Sequence, residues 1–142
     1  MTKEKRIFQP LKSKGVCLIY ELLHKKGLVS FPAGSSCSAK VEALVENIEN
    51  THFGVDIYPS IEEKAVAYLY LIIKDHAFTD GNKRTACLAF ETLCELNCIK
   101  PTYGDFALDS LAVFIEETEE KDNQKVIREI TDLLFPDRNK VI

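Results

Sequence analysis

Nine consecutive residues, Ala65 to Ile73, read AVAYLYLII, and no other stretch of this 142-residue chain restricts its folding so strongly. A segment that is apolar on every side, in a chain whose other segments are amphipathic, has to be enclosed by neighbours on all faces. The residues ahead of it, Pro59-Ser60-Ile61-Glu62-Glu63, carry a helix-start signal. Ser60 can cap the first turn and Glu63 can reach back to the cap residue's N–H, as in a capping box. The expectation is a central buried helix that stops near Lys74-Asp75-His76.

The flanking segments supply the enclosure. A helix is predicted from about Ser13 to Lys26, with Val16, Ile19, Leu22 and Leu23 on one face and Gly27 at its end. Val41, Leu44, Val45 and Ile48 form an i, i+3, i+4, i+7 stripe, with Lys40, Glu42, Glu46 and Glu49 off it, which predicts a second amphipathic helix. After the central helix another should begin near Asn82 or Lys83 and run through Leu88, Ala89, Leu93 and Leu96 to Asn97. Two more are expected over about Leu108 to Glu117 and Asn123 to Leu134, the last stopped by Pro136. Only Thr51 to Pro59, THFGVDIYP, can be extended, as a short β flap before the central helix. The fold class is all-α, a helical bundle.

Composition narrows the function. With 46% hydrophobic and 28% charged residues and no apolar run near the ~20 residues of a membrane span, the chain reads as a globular, cytoplasmic protein with no membrane association. The positively charged start lacks the apolar core of a secretion signal. A net charge of -4 gives no footprint for bulk nucleic-acid binding. The five cysteines, Cys17, Cys37, Cys87, Cys94 and Cys98, lack zinc-site spacing, and the last three recur at helical spacing, as buried reduced thiols would. His24, His52 and His76 are too scattered for a metal hydrolase.

The chemistry concentrates in the nonapeptide His76-Ala77-Phe78-Thr79-Asp80-Gly81-Asn82-Lys83-Arg84, which joins two core helices. A helix N-terminus offers unsatisfied N–H groups and a positive dipole end, so Gly81 and Asn82 make an anion cradle, with Gly81 admitting close backbone approach. Lys83 and Arg84 add a movable point charge and a bidentate fork, which together suit a polyphosphate. A carboxylate among these cations, Asp80, makes sense as a Mg²⁺ ligand. His76 has the unperturbed pKa to take a proton from an attacking hydroxyl near neutrality. Phe78 should point into the core and pin the loop. Taken one at a time these features are ordinary turn and surface residues. Seven specified residues in nine would arise by chance in such a chain on the order of once in ten million.

This segment resembles the motif of the Fic/Doc (Fido) family, H-x-F-x-D/E-G/A-N followed by G-R in the Fic branch or K-R in the Doc branch, and Lys83-Arg84 matches Doc. The resemblance extends over about Phe31 to Leu134, so residues 1–30 are taken as an N-terminal tail and helix and 31–142 as the Fic/Doc domain, the whole forming one unit. It implies His76 as general base, Asp80 as Mg²⁺ ligand, and Asn82, Lys83 and Arg84 as the phosphate-binding set. Fic members transfer a nucleotidyl group, usually AMP, whereas the Doc branch is associated with phosphorylating a translation factor. Lys83 in place of glycine fills space that a phosphate would use, and Cys87 stands where many Fic motifs have a second arginine. Phosphoryl transfer from ATP or another nucleoside triphosphate to a protein hydroxyl is therefore favoured over AMP transfer. The stretch nearest to the inhibitory helix of some Fic proteins, Thr118 to Asn123, has aspartate for the required glutamate, so self-inhibition is not expected. Control by an antitoxin-like partner fits the Doc resemblance. The alternative is a non-catalytic Fido-fold nucleotide-binding or interaction module. The acidic stretch Glu116 to Glu120 reads as a solvated surface without a site.

Overall fold

The computed structural model describes residues 6–30, 35–52, 54–104 and 106–138. Among these, six helices follow one another as α1 (Ser13–Lys25), α2 (Ser35–Glu49), α3 (Ile61–Lys74), α4 (Asn82–Leu96), α5 (Leu108–Glu117) and α6 (Asn123–Leu134). Between α2 and α3 lie two short strands, β1 (Thr51–His52) and β2 (Val55–Asp56). They pair antiparallel, with Thr51 opposite Asp56 and His52 opposite Val55. The chain is all-α with a small flap where the extended segment was expected; Phe53 of that flap lies outside the described residues.

α3 is the axis of the bundle. Every side chain from Ala65 to Ile73 is buried, and α2, α4, α5 and α6 all pack on it. That is the physical meaning of the all-round apolar run: four neighbours leave no face for water. Ser60 caps the helix, its Oγ accepting from the Glu63 N–H at 3.0 Å. The other half of the expected capping box is replaced. Glu63 is buried, and its carboxylate accepts from Arg138 Nη1 at 2.9 Å. Arg138 also donates to Ser60 Oγ and, through Nε and Nη2, to Asp132. A buried carboxylate requires a paired cation, and Arg138 beyond α6 supplies one that spacing along α3 could not disclose.

On α1 Val16 and Leu23 are buried and Ile19 is half-buried against the core, as expected, but Tyr20 is buried in place of Leu22, which is about half exposed. Three helices end in one geometry. After α1, α3 and α4 the chain passes through a left-handed residue, Gly27 (φ 73°), His76 (φ 47°) and Cys98 (φ 54°). In each case the next N–H reaches back five residues: Leu28 to the Leu23 carbonyl, Ala77 to Ile72 and Ile99 to Cys94. This is the Schellman ending, for which glycine is the usual residue. Because α4 ends at Leu96, Cys98 leaves the helix and is exposed, whereas Cys94 is buried and Cys87 half-buried; the expected helical set of three buried thiols is thus reduced.

Candidate functional site

The loop between α3 and α4 is built by three local devices. His76 takes the left-handed position that ends α3, which turns the chain sharply at a cost of roughly 1–2 kcal/mol for a residue with a Cβ. Two residues later Phe78 plunges into the core, 2% exposed, and stacks on Tyr20 of α1 with ring centroids 4.2 Å apart and planes 6° from parallel. Asn82 then closes the loop on itself: its Oδ1 accepts from the Phe78 N–H at 2.9 Å and its Nδ2 donates to the Phe78 carbonyl at 2.8 Å. Both polar groups of Phe78's buried backbone are satisfied by this one amide. The Asn82 side chain therefore holds the loop, its oxygen and its nitrogen both engaged with the Phe78 backbone.

Gly81 precedes α4 in the left-handed conformation, φ 73°. A Cβ built there would lie 2.1 Å from Val29 Cγ1. Close packing against Val29 is thus a reason for glycine that the sequence did not disclose. Val29 belongs to a brace of three successive residues following α1. Leu28 offers its carbonyl to Arg84 Nη1 at 3.0 Å, Val29 packs on Gly81, and the Ser30 N–H donates to Asp80 Oδ2 at 3.1 Å. Residues 28–30, taken from sequence as part of an N-terminal tail and helix, register the whole motif against α1.

These contacts gather His76, Thr79, Asp80, Gly81, Asn82, Lys83 and Arg84 around one cavity of about 400 Å³, with Leu28 and Glu116 completing the wall. α4 opens without a side-chain cap, so its first-turn N–H groups are not satisfied by a capping side chain. The amides of Ser30 and Gly81, with Arg84 nearby, hold the Asp80 carboxyl below its ordinary range, keeping it ionised. Crowding by protein atoms pushes the carboxyl of Asp75, next to His76, upwards, and His76 pulls it part of the way back. His24 does not line this cavity, and nothing is described of the His52 side chain.

Sequence reasoning missed Glu116. It belongs to α5, more than thirty residues beyond the motif, yet its Oε2 lies 2.8 Å from Lys83 Nζ. The stretch read as a solvated surface without a site thus contributes one wall residue. Asp122, at the place of the inhibitory glutamate in the weak motif match, instead caps α6 by accepting from the Lys125 N–H at 3.2 Å.

A family model described as the Fic/DOC family matches residues 10–94. The chain belongs to this family. A curated protein named Toxin Doc, from Mycolicibacterium smegmatis, is 35% identical over 82 residues, which cover 58% of this chain and 62% of that protein. The chain thus spans less than two thirds of the length of that curated relative. No solved structure matches the chain. The Fic/DOC match begins earlier than the resemblance expected from sequence, taking in α1 and the brace of residues 28–30, and it ends within α4. Glu116 lies outside the matched Fic/DOC stretch. No described helix is long and apolar enough to cross a membrane.

Proposed function

We infer that this Fic/DOC chain is a toxin-like transferase that moves a phosphate-containing group from ATP or another nucleoside triphosphate to a Ser, Thr or Tyr hydroxyl of a protein, with phosphoryl transfer favoured over AMP transfer. The observation that carries this reading is that His76, Asp80 and the amino end of α4 with Lys83 and Arg84 line one cavity. Its volume of about 400 Å³ falls within the range of small-ligand sites.

In the favoured reaction the target hydroxyl oxygen attacks the γ-phosphorus while the His76 imidazole takes its proton. The bond from that phosphorus to the β–γ bridging oxygen breaks, and the nucleoside diphosphate leaves with the electron pair. Lys83, Arg84 and the first-turn N–H groups of α4 stabilise the charge on the phosphate oxygens. The residues fit a Mg²⁺ ion carried largely by the nucleotide. Asp80 is kept ionised, and among the described residues no group of three or more His, Cys, Asp or Glu could form a protein-only metal cage. When bound, Mg²⁺ would neutralise phosphate charge, with Asp80 as its protein ligand. Lys83, where a glycine would leave space for phosphate, supports the γ over the α phosphorus as the point of attack. The likeness to a protein named Toxin Doc supports an antitoxin-like regulator as a partner.

Incubation of the chain and its His76→Ala variant with γ-labelled and α-labelled ATP in a bacterial lysate tests the reading. Label on a protein from the γ position alone, dependent on His76, is the expected result. His76-dependent label from the α position means AMP transfer instead, and ATP binding without label from either means a non-catalytic nucleotide-binding module.

A further inference from the structure

Two lysines, Lys74 just ahead of the motif in the last turn of α3 and Lys83 within it in the first turn of α4, both close on one residue of α5. Lys74 Nζ donates to the Glu116 carbonyl at 3.5 Å and to the Thr118 carbonyl, where a cation meets the negative end of α5. Lys83 Nζ meets the Glu116 carboxylate at 2.8 Å. The end of α5 is thereby docked across the motif, and its carboxylate stands in the wall of the same cavity as His76, Asp80, Lys83 and Arg84. The Lys83 and Glu116 side chains are 41% and 45% exposed, so the pair is solvated and can exchange partners. An ordinary surface pair of this kind has no consequence for ligands. This one holds a cation that a polyphosphate would use.

We propose that Glu116 is a specificity residue of this cavity: its carboxylate competes for Lys83 and repels bare polyphosphate, so that the site favours a nucleotide arriving with its own divalent cation. The proposal rests on the nucleotide-binding reading given above. A bare nucleoside triphosphate brings several negative charges against Glu116 and has to share Lys83 with it, and each close like-charge contact counts against binding. A nucleotide carrying Mg²⁺ presents less net negative charge to the same carboxylate and is opposed less. Glu116 thus sets the ratio of the two affinities, which a general disturbance of the fold would leave alone.

The test is calorimetric titration of the full chain and of Glu116→Gln with ATP, once in chelator and once in excess Mg²⁺, with inorganic tripolyphosphate in chelator as a probe lacking the base. Thermal unfolding of both proteins verifies that the exposed substitution leaves the fold intact. Glu116→Gln is expected to tighten ATP and tripolyphosphate in chelator by about fivefold, the upper end for one solvated charge interaction, and Mg-ATP by less than about twofold. Equal tightening with and without Mg²⁺, or no tightening in chelator, overturns the proposal while leaving the nucleotide site standing. Weaker Mg-ATP binding in the variant overturns it too, because Glu116 would then be helping to hold the metal. Failure of both proteins to bind ATP under either condition overturns this proposal and the nucleotide reading together.

Discussion

Replacing Gly81 by alanine isolates the close approach on which the motif's position depends. The substitution meets two costs. Any residue with a Cβ at φ 73° accepts roughly 1–2 kcal/mol of backbone strain. The new methyl would also sit 2.1 Å from Val29 Cγ1, in a contact that neither side can easily relax. Val29 is buried and β-branched, with one stiff torsion, so relief has to come from backbone shifts of the kind that cost about 1–3 kcal/mol in overpacked cores. The sum is about 3 kcal/mol. For a chain of 142 residues the unfolding entropy is about 0.3 kcal/mol per kelvin, so the midpoint should fall by about 10 °C in a thermal melt followed by circular dichroism. The second arm is Val29→Ala, which alone should cost about 2 kcal/mol through lost burial and a cavity. In the double variant the two methyl groups removed from Val29 make room for the one added, so the total loss should fall short of the sum by about 1–2 kcal/mol. Losses that add within about 0.5 kcal/mol would refute the contact, and an unchanged melting midpoint for Gly81→Ala would refute both the strain and the contact.

His76→Gly should separate stability from function: it removes the left-handed strain, raising the melting midpoint by about 3 °C, while the role of general base proposed for His76 requires transfer of label to fall at least ~100-fold. Asn82→Ala leaves the Phe78 N–H and carbonyl without their partner and should cost about 1–3 kcal/mol in denaturant unfolding. Arg138→Met strands the buried Glu63 carboxylate and should cost about 3–5 kcal/mol, much of it recovered when Glu63→Gln is added; no recovery would mean that Arg138 acts through Asp132 alone. Burial, with neighbouring carboxylates, pushes the Cys87 and Cys94 thiols up to about 12, leaving only about one part in ten thousand as thiolate at pH 8, so both should resist a disulfide reagent until the protein unfolds. Among the described thiols the exposed Cys98 should react first, and Cys98→Ser should remove one rapidly reacting equivalent.

Much of this protein was readable along the chain because its signals are local. The all-round apolar run of α3, its Ser60 cap, the span of α5 and α6, the flap, and the inward turn of Phe78 each follow from residues within a few positions of one another. The motif from His76 to Arg84 was legible for the same reason, since its nine residues form one loop and one helix start. What the chain order could not supply is every contact made between distant segments. Glu63 answers to Arg138 and not to its own cap, Gly81 is required by Val29, Asp80 is steadied by Ser30, and Lys83 meets Glu116. Sequence by itself determined which groups are present and the local conformation that lines them up, because periodicity, capping and motif spacing act over a few residues. Only the tertiary structure decided which groups share a cavity and which charges are already paired there, because packing α1 and α5 against the motif brings together residues that no spacing rule connects.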